Sequence, residues 1–308
     1  MVVTCSPSSR KACIPVVLLA AAIAQSAEAQ PQAAGFLDFG LDLDLDVSVG
    51  YLYDDNVTRA PSGPDKLSDQ FYSLHASKTF TFAVSEHARF AVEAFAGGEL
   101  AQRYDGLGNV FGGTQIALQY RGSTEFGAPT FSVFGRVLGE NFDSELRSGY
   151  RFAAGASVRQ PVTQELNLFA AYTYNWRNAN SEVFDTRDNS VLGSLDYSFG
   201  RFGTLTFSAE YQWGTIVSTG QPTLTILDIA QVFVADDVFT SPQMINYRFK
   251  ADSVLTTLNY NVPISQAAAL DFSWRRVGSK STLSATFPGG GPLRYVDNQF
   301  NLQLLVRF

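Results

Sequence analysis

Cysteine is almost missing from this 308-residue chain: Cys5 and Cys13 are the only two, and both fall before residue 29. The rest of the chain therefore has no disulfide, thiolate metal ligand or cysteine nucleophile. Histidine is equally scarce, with His75 and His87 alone, which leaves little imidazole chemistry. Charged residues make up 17% of the sequence, and acids outnumber bases, 29 to 22. That balance speaks against nucleic acid as a partner. No apolar run reaches the roughly eighteen residues of a membrane-spanning helix.

The one sustained apolar run, Ile14 to Ala24, follows Arg10 and Lys11 and precedes Ala27-Glu28-Ala29. A basic start, a short apolar middle and a small-x-small end are the pattern of a secretory signal peptide, placed here at 1–29. Cys13 precedes the run and so is not positioned for lipid acylation. Setting aside Arg10, Lys11 and Glu28 leaves 20 basic residues (22 less 2) and 28 acidic ones (29 less 1), a net charge of −8. A short periplasmic tail, 30–40, would lead into a single domain, 41–308.

What the chain does have is alternation, with 25 Phe, 13 Tyr and 25 Gly. The stretch L-D-L-D-L-D-V-S-V-G-Y-L-Y-D puts Leu41, Leu43, Leu45, Val47, Val49, Tyr51 and Tyr53 on one strand face and Asp42, Asp44, Asp46, Ser48 and Gly50 on the other. The pattern recurs at 41–54, 71–84, 89–103, 112–121, 130–140, 148–159, 166–177, 189–199, 204–214, 246–262, 269–277 and 295–308. Connections after even segments are short and those after odd segments mostly longer, as periplasmic turns and extracellular loops are. Aromatics gather at the outer ends (Tyr51, Tyr53, Tyr72, Tyr150, Tyr174, Trp176, Tyr211, Trp213, Tyr247, Trp274). They gather again at the inner ends (Phe80, Phe82, Phe90, Tyr120, Phe131, Tyr197, Phe199, Tyr260, Phe308), with aliphatic residues between. Two girdles around an aliphatic belt predict an all-β transmembrane antiparallel barrel of about twelve strands, with fourteen as the alternative. A Gram-negative outer membrane is the expected location, and outer-membrane lipid the expected surround.

Two places break the pattern. Lys78 falls on the lipid face, either snorkelling or displaced by a bulge. In 246–262 the apolar parity changes between Ala251 and Val254, which calls for a bulge near Asp252 and Ser253.

The last segment, F-N-L-Q-L-L-V-R-F, alternates Phe300, Leu302, Leu304, Val306 and Phe308. It resembles the C-terminal signal by which outer-membrane barrels are recognised by the barrel-assembly machinery. Y-D-D-N-V, Tyr53 to Val57, resembles the start of outer-membrane β-barrel porin families, some associated with exopolysaccharide systems. The resemblance implies a porin-like barrel and brings no catalytic residues.

By parity, Arg136, Arg151, Arg159 and Arg177 line the lumen from the fifth to seventh strands, with Arg121 just before them. Arg248, Lys250 and Arg275 add to them from the tenth and eleventh. Asp42, Asp44, Asp46, Glu93, Glu99, Asp196, Glu210, Asp252 and Asp271 point inward elsewhere. A basic wall opposite an acidic one would orient polar solutes and favour small anionic ones. The same charges could instead pair and plug a narrow barrel, and both readings stand at this point. Neighbouring aspartates on one strand face are nearly 7 Å apart, at about 3.3 Å per residue, so the first-strand ladder cannot close a metal site alone. Asp54, Asp55 and Asn56 read as turn formers. No serine-centred motif accompanies His75, so no enzyme, cofactor or metal is implied. P-G-G-G-P around Gly289 to Gly291 is a loop tip.

The loop near 215–245 keeps Leu224, Ile226, Leu227, Ile229, Val232, Phe233, Val234, Val238 and Phe239, too apolar for a solvated connection. A lid folded into the mouth is the favoured reading; a hairpin, a docking surface or two hidden strands are the others. Together these features predict porin-like passage of small polar solutes or oligosaccharides. A closed accessory barrel of a polysaccharide export or surface-assembly system is the alternative, and an outer-membrane hydrolase the third.

Overall fold

In the computed structural model, residues 45–61, 63–240, 243–286 and 290–308 are described. The leader, the 30–40 tail, Asp42 and Asp44 lie outside them. Twelve long strands form one antiparallel barrel: β1 (Leu45–Asp54), β2 (Asp69–Ala83), β3 (Ala88–Ala101), β4 (Asn109–Arg121), β5 (Thr130–Phe142), β6 (Gly149–Pro161), β7 (Leu166–Ala179), β8 (Thr186–Ser198), β9 (Thr204–Gly220), β11 (Ile245–Pro263), β12 (Ala268–Ser284) and β13 (Pro292–Arg307). Each pairs with its neighbour, β9 pairs directly with β11, and β13 closes on β1. At that seam Leu45 N donates to Phe308 O (3.2 Å) and Phe308 N to Leu45 O (3.0 Å). Closure satisfies every strand edge, which a sheet in hydrocarbon requires. A thirteenth strand, β10 (Val232–Ala235), and the short helix α1 (Leu224–Ile229) belong to the long loop between β9 and β11. The expected twelve-strand barrel is therefore the one observed, and the loop adds one short strand outside the ring.

The outward face is exposed and apolar. Leu118, Val133, Leu168, Val191, Leu195, Phe207, Leu258 and Leu302 are each more than a third accessible. Such a surface is unfavourable in water and fitting in lipid. Phe300, Leu302 and Leu304 face outward on β13, and Phe308 just beyond it is exposed.

Both irregularities resolve without a bulge. Lys78 pairs with Leu45 on β1 and Ala94 on β3 in unbroken register, so it does face lipid. Its ammonium lies 5.2 Å from the Phe80 ring centre, toward the inner girdle, as snorkelling requires. The registers of β11 with β9 and β12 are likewise unbroken. Below Asp252 the apolar residues Val254 and Leu258 face out, whereas above it Tyr247, Phe249 and Ala251 are buried inward. The surroundings change and the register does not: the upper part of β11 is covered from within by protein. Tyr247 accordingly leaves the outer girdle for the interior. Arg248, Lys250 and Asp252 take the outward parity, so Arg248 does not line the lumen.

Candidate functional site: the lumen and its lid

Strands β5 to β7 carry the basic wall. Arg136, Arg151, Arg159 and Arg177 share the inward parity, and Arg151 stands directly opposite Arg177. Like charges so placed repel unless an anion lies between. Glu140 on β5 supplies it: its Oε2 is 2.7 Å from Arg151 Nε and 3.4 Å from Arg177 Nη2. Arg177 also donates to the Arg147 carbonyl (2.6 Å). Arg136 rests 4.5 Å over the Phe95 ring centre, and Arg159 lies 5.3 Å over Phe169 while reaching Asp196 Oδ2 at 3.3 Å. Stacked on ring faces, guanidinium groups keep their edges available for planar anions.

The acids are dispersed. Glu93 is in register with Gln115, which is opposite Arg136, so one row crosses β3 to β5 from acid to base. Glu99 accepts from Asn109 Nδ2 (2.9 Å), Asp196 from Thr206 Oγ1 (2.9 Å) and Asp271 from Asn259 Nδ2 (2.6 Å). Glu210 faces inward from β9 and Arg275 is buried on β12. Asp46 sits at the end of the barrel away from the long loops, 2.8 Å from Arg307 Nε. His75 is enclosed by rings, its centroid 6.2 Å from Phe111 and 6.0 Å from Phe95. At the outer rim Asp54, Asp55 and Asp297 bring their carboxylates within 4.8 Å of one another. Asn56 N closes an Asx turn on Asp54 Oδ1 (2.7 Å), and Gln299 Nε2 bridges Asp54 and Asp297 at 3.0 Å each. Burial alone would raise the Asp55 carboxyl. Hydrogen bonds from Asn298 and the ammonium of Lys66, 3.1 Å away, outweigh it and hold the group below the usual range.

The β9–β11 loop covers the outer opening. Gly214, at φ 152°, is where β9 leaves β8; a Cβ there would collide with the Arg187 carbonyl and Asp188. Thr223 caps α1, accepting from Ile226 N. Ile226 and Ile229 then pack onto the inward residues Ile216, Tyr247, Phe249, Ala251 and Tyr295. β10 pairs with Ile245–Arg248, on the stretch of β11 beyond the β12 ladder. The tip reaches the far side of the ring, where Phe239 meets Tyr104 edge-on at 4.7 Å and joins a cluster with Leu52, Phe71, Leu107 and Met244.

Polar ties fix this lid to the surrounding loops. Arg147 Nη2 contacts Asp236 Oδ2 (2.6 Å) and Nη1 contacts Asp237 Oδ1 (2.9 Å). Ser144 Oγ donates to Asp237 (2.8 Å). Gln221 N and Nε2 donate to Asp65 (2.9 and 2.8 Å), Thr219 N donates to Thr58 O (2.8 Å), and Thr286 N donates to Asp228 (2.6 Å). Arg248, absent from the lumen, instead binds the Glu182 and Asp185 carbonyls, each at 2.6 Å.

Parity alone brought the four arginines of β5 to β7 onto one wall. It did not identify Glu140, which shares their face, or Arg147 and Asp236, which come from separate loops. Glu140 was legible by the same alternation. The Arg147 latch had no local signal.

No protein-family model matches the chain. No curated protein matches it either. Solved structures do resemble it. An outer membrane channel from Pseudomonas putida F1 is 10% identical, with 87% of this chain and 97% of that one covered and a TM-score of 0.51. The KdgM porin in complex with disordered oligogalacturonate is 11% identical over 85% and 99% (TM-score 0.46), and the NanC porin 10% identical over 86% and 100% (TM-score 0.41). The fold is that of an outer-membrane β-barrel.

Proposed function

We propose that this chain is a gated outer-membrane channel for small polar solutes, oligosaccharides among them, with a preference for anionic ones. The observation that carries the reading is the inward set Arg136, Arg151, Arg159 and Arg177 on adjacent strands, of which Arg136, Arg159 and Arg177 lie over aromatic rings. Glu140 pairs with Arg151 and Arg177, and Asp196 with Arg159. Rings of charge at a constriction set which ions pass. The lid between β9 and β11 is the gate, released when Arg147 lets go of Asp236 and Asp237. The chain would reach the membrane after removal of residues 1–29, with the outward row on β13 read by the assembly machinery.

The test is conductance of the purified protein in planar bilayers. Discrete steps with an anion-selective reversal potential are expected, and Arg136→Ala with Arg151→Ala should shift that potential toward zero. An unchanged potential would remove the selectivity claim. A closed accessory barrel is the second reading, favoured by a lid tied to five neighbouring segments. It requires silence in the bilayer even after the latch is cut.

A further inference from the structure

The outward face of β11 to β13 turns basic immediately above the aromatic girdle. Lys250, Lys280 and Arg294 are exposed there, and Arg276 lies lower on the same face. Trp213 stands opposite Asp252, and Lys250 is two residues farther out along β11. Lys280 is opposite Asp252, and so belongs to the same cross-strand row as Trp213. The cations therefore stand at headgroup depth, since tryptophan rings mark the boundary of the hydrocarbon.

Lys280 and Arg294 are direct cross-strand partners. Like charges directly opposite are destabilising, yet neither belongs to any ion pair found among the described residues. Arg276 donates to Asn298 Oδ1 at 3.4 Å. Asp252, opposite Lys280, is the carboxylate facing the group. Within the barrel the comparable pair, Arg151 and Arg177, has Glu140 bonded to both members; outside, Asp252 is cross-strand from Lys280 alone and forms no ion pair with Lys280 or Arg294 among the described residues. Beside Arg294 lies a shallow surface depression of ≈ 400 Å³ lined by Pro61, Gly63, Lys66 and Val296.

We infer that this face binds a phosphorylated glycolipid of the outer leaflet, its phosphates seated between Lys250, Lys280 and Arg294 and its acyl chains lying on the belt below. Clustered cations at a membrane surface select anionic headgroups, and with three cations to one facing carboxylate the face has the charge complementarity that phosphates require. The inference rests on the loops facing outward, as in the channel reading, but not on an open lumen.

Native mass spectrometry of the full chain in detergent, titrated with diphosphoryl lipid A, tests it. The wild type should retain lipid A and release the dephosphorylated form. Lys280→Gln with Arg294→Gln should weaken retention roughly tenfold, while Lys78→Gln, in the opposite leaflet, should match the wild type. Heat-dependent gel mobility confirms that each variant is folded, and bilayer steps measured on the same samples report separately on the channel reading. Equal retention of the dephosphorylated lipid overturns the inference. So does unaltered retention by the double variant, or equal competition by inorganic phosphate at the lipid A concentration.

Discussion

The lower and upper parts of β9 and β11 run in one continuous register and yet bury opposite faces. Below Trp213 and Asp252, Phe207, Tyr211, Val254 and Leu258 look out. Above them, Ile216, Tyr247 and Phe249 look in, onto α1. A two-residue period reports which side of a strand is dry, and nothing more. In the bilayer the dry side is outside; at the mouth, where the lid fills the opening, it is inside. A change of apolar parity along a strand is therefore as much a sign of a change of medium as of a bulge.

The sharpest way to break this contrast is to cut what holds the lid. Arg147→Ala leaves Asp236 buried without its cation, and losing one partner of a buried pair costs about 3–5 kcal/mol. The lid should swing free and single-channel conductance should rise severalfold, with the barrel intact by gel mobility. Conductance equal to wild type would mean that the mouth is sealed by something else. Next in size is a face test: Val254→Lys places a charge in the upper belt, one pleat repeat below the girdle row of Trp213, and should cost about 1–2 kcal/mol, between the interface and midplane values. Lys250→Leu, two turns of the pleat higher, should be close to neutral. Unfolding by denaturant in lipid vesicles compares the two, and equal costs would refute the change of medium. A smaller effect is expected from Gly106→Val. A Cβ at Gly106 already meets Val238 of the lid, so the larger side chain should prop the tip and lengthen open dwell times without altering selectivity. Smallest is the pH response of the rim. The Asp55 carboxyl titrates below its ordinary 3.8, so its contribution is complete above that value and fades as pH falls through the lower, folded one. Asp55→Asn should lower the melting temperature slightly at neutral pH, and the difference from wild type should shrink below pH 3.8; a gap that widens there would contradict the assignment.

Most of the barrel was legible because hydrocarbon imposes one rule on every strand. Strand number, the girdles and the inward arginines of β5 to β7 all follow from it. The errors cluster where that rule stops. Taking the apolar face as the outer one, a rule that holds only below Asp252, sends Arg248 to the lumen and Tyr247 to the girdle. The apolar content of 215–245 signalled a buried loop, but its partners could not be read: Arg147, Tyr104 and Asp65 come from three other loops, and nothing in their own segments marks them for a distant contact.

The seam carries a different consequence. Asp46 lies opposite Arg307, and Leu45 exchanges hydrogen bonds with Phe308, so the ring is sealed by pairing residues from nearly the two extremes of the sequence. Until these two strands pair, β1 and β13 each present an unprotected edge able to recruit a stranger. The contact that completes the cylinder is also among the most remote along the chain, the kind that forms slowly. The hazardous interval in this molecule's life is thus the one before the ends meet, and an escort during it would be worth more than any gain in finished stability.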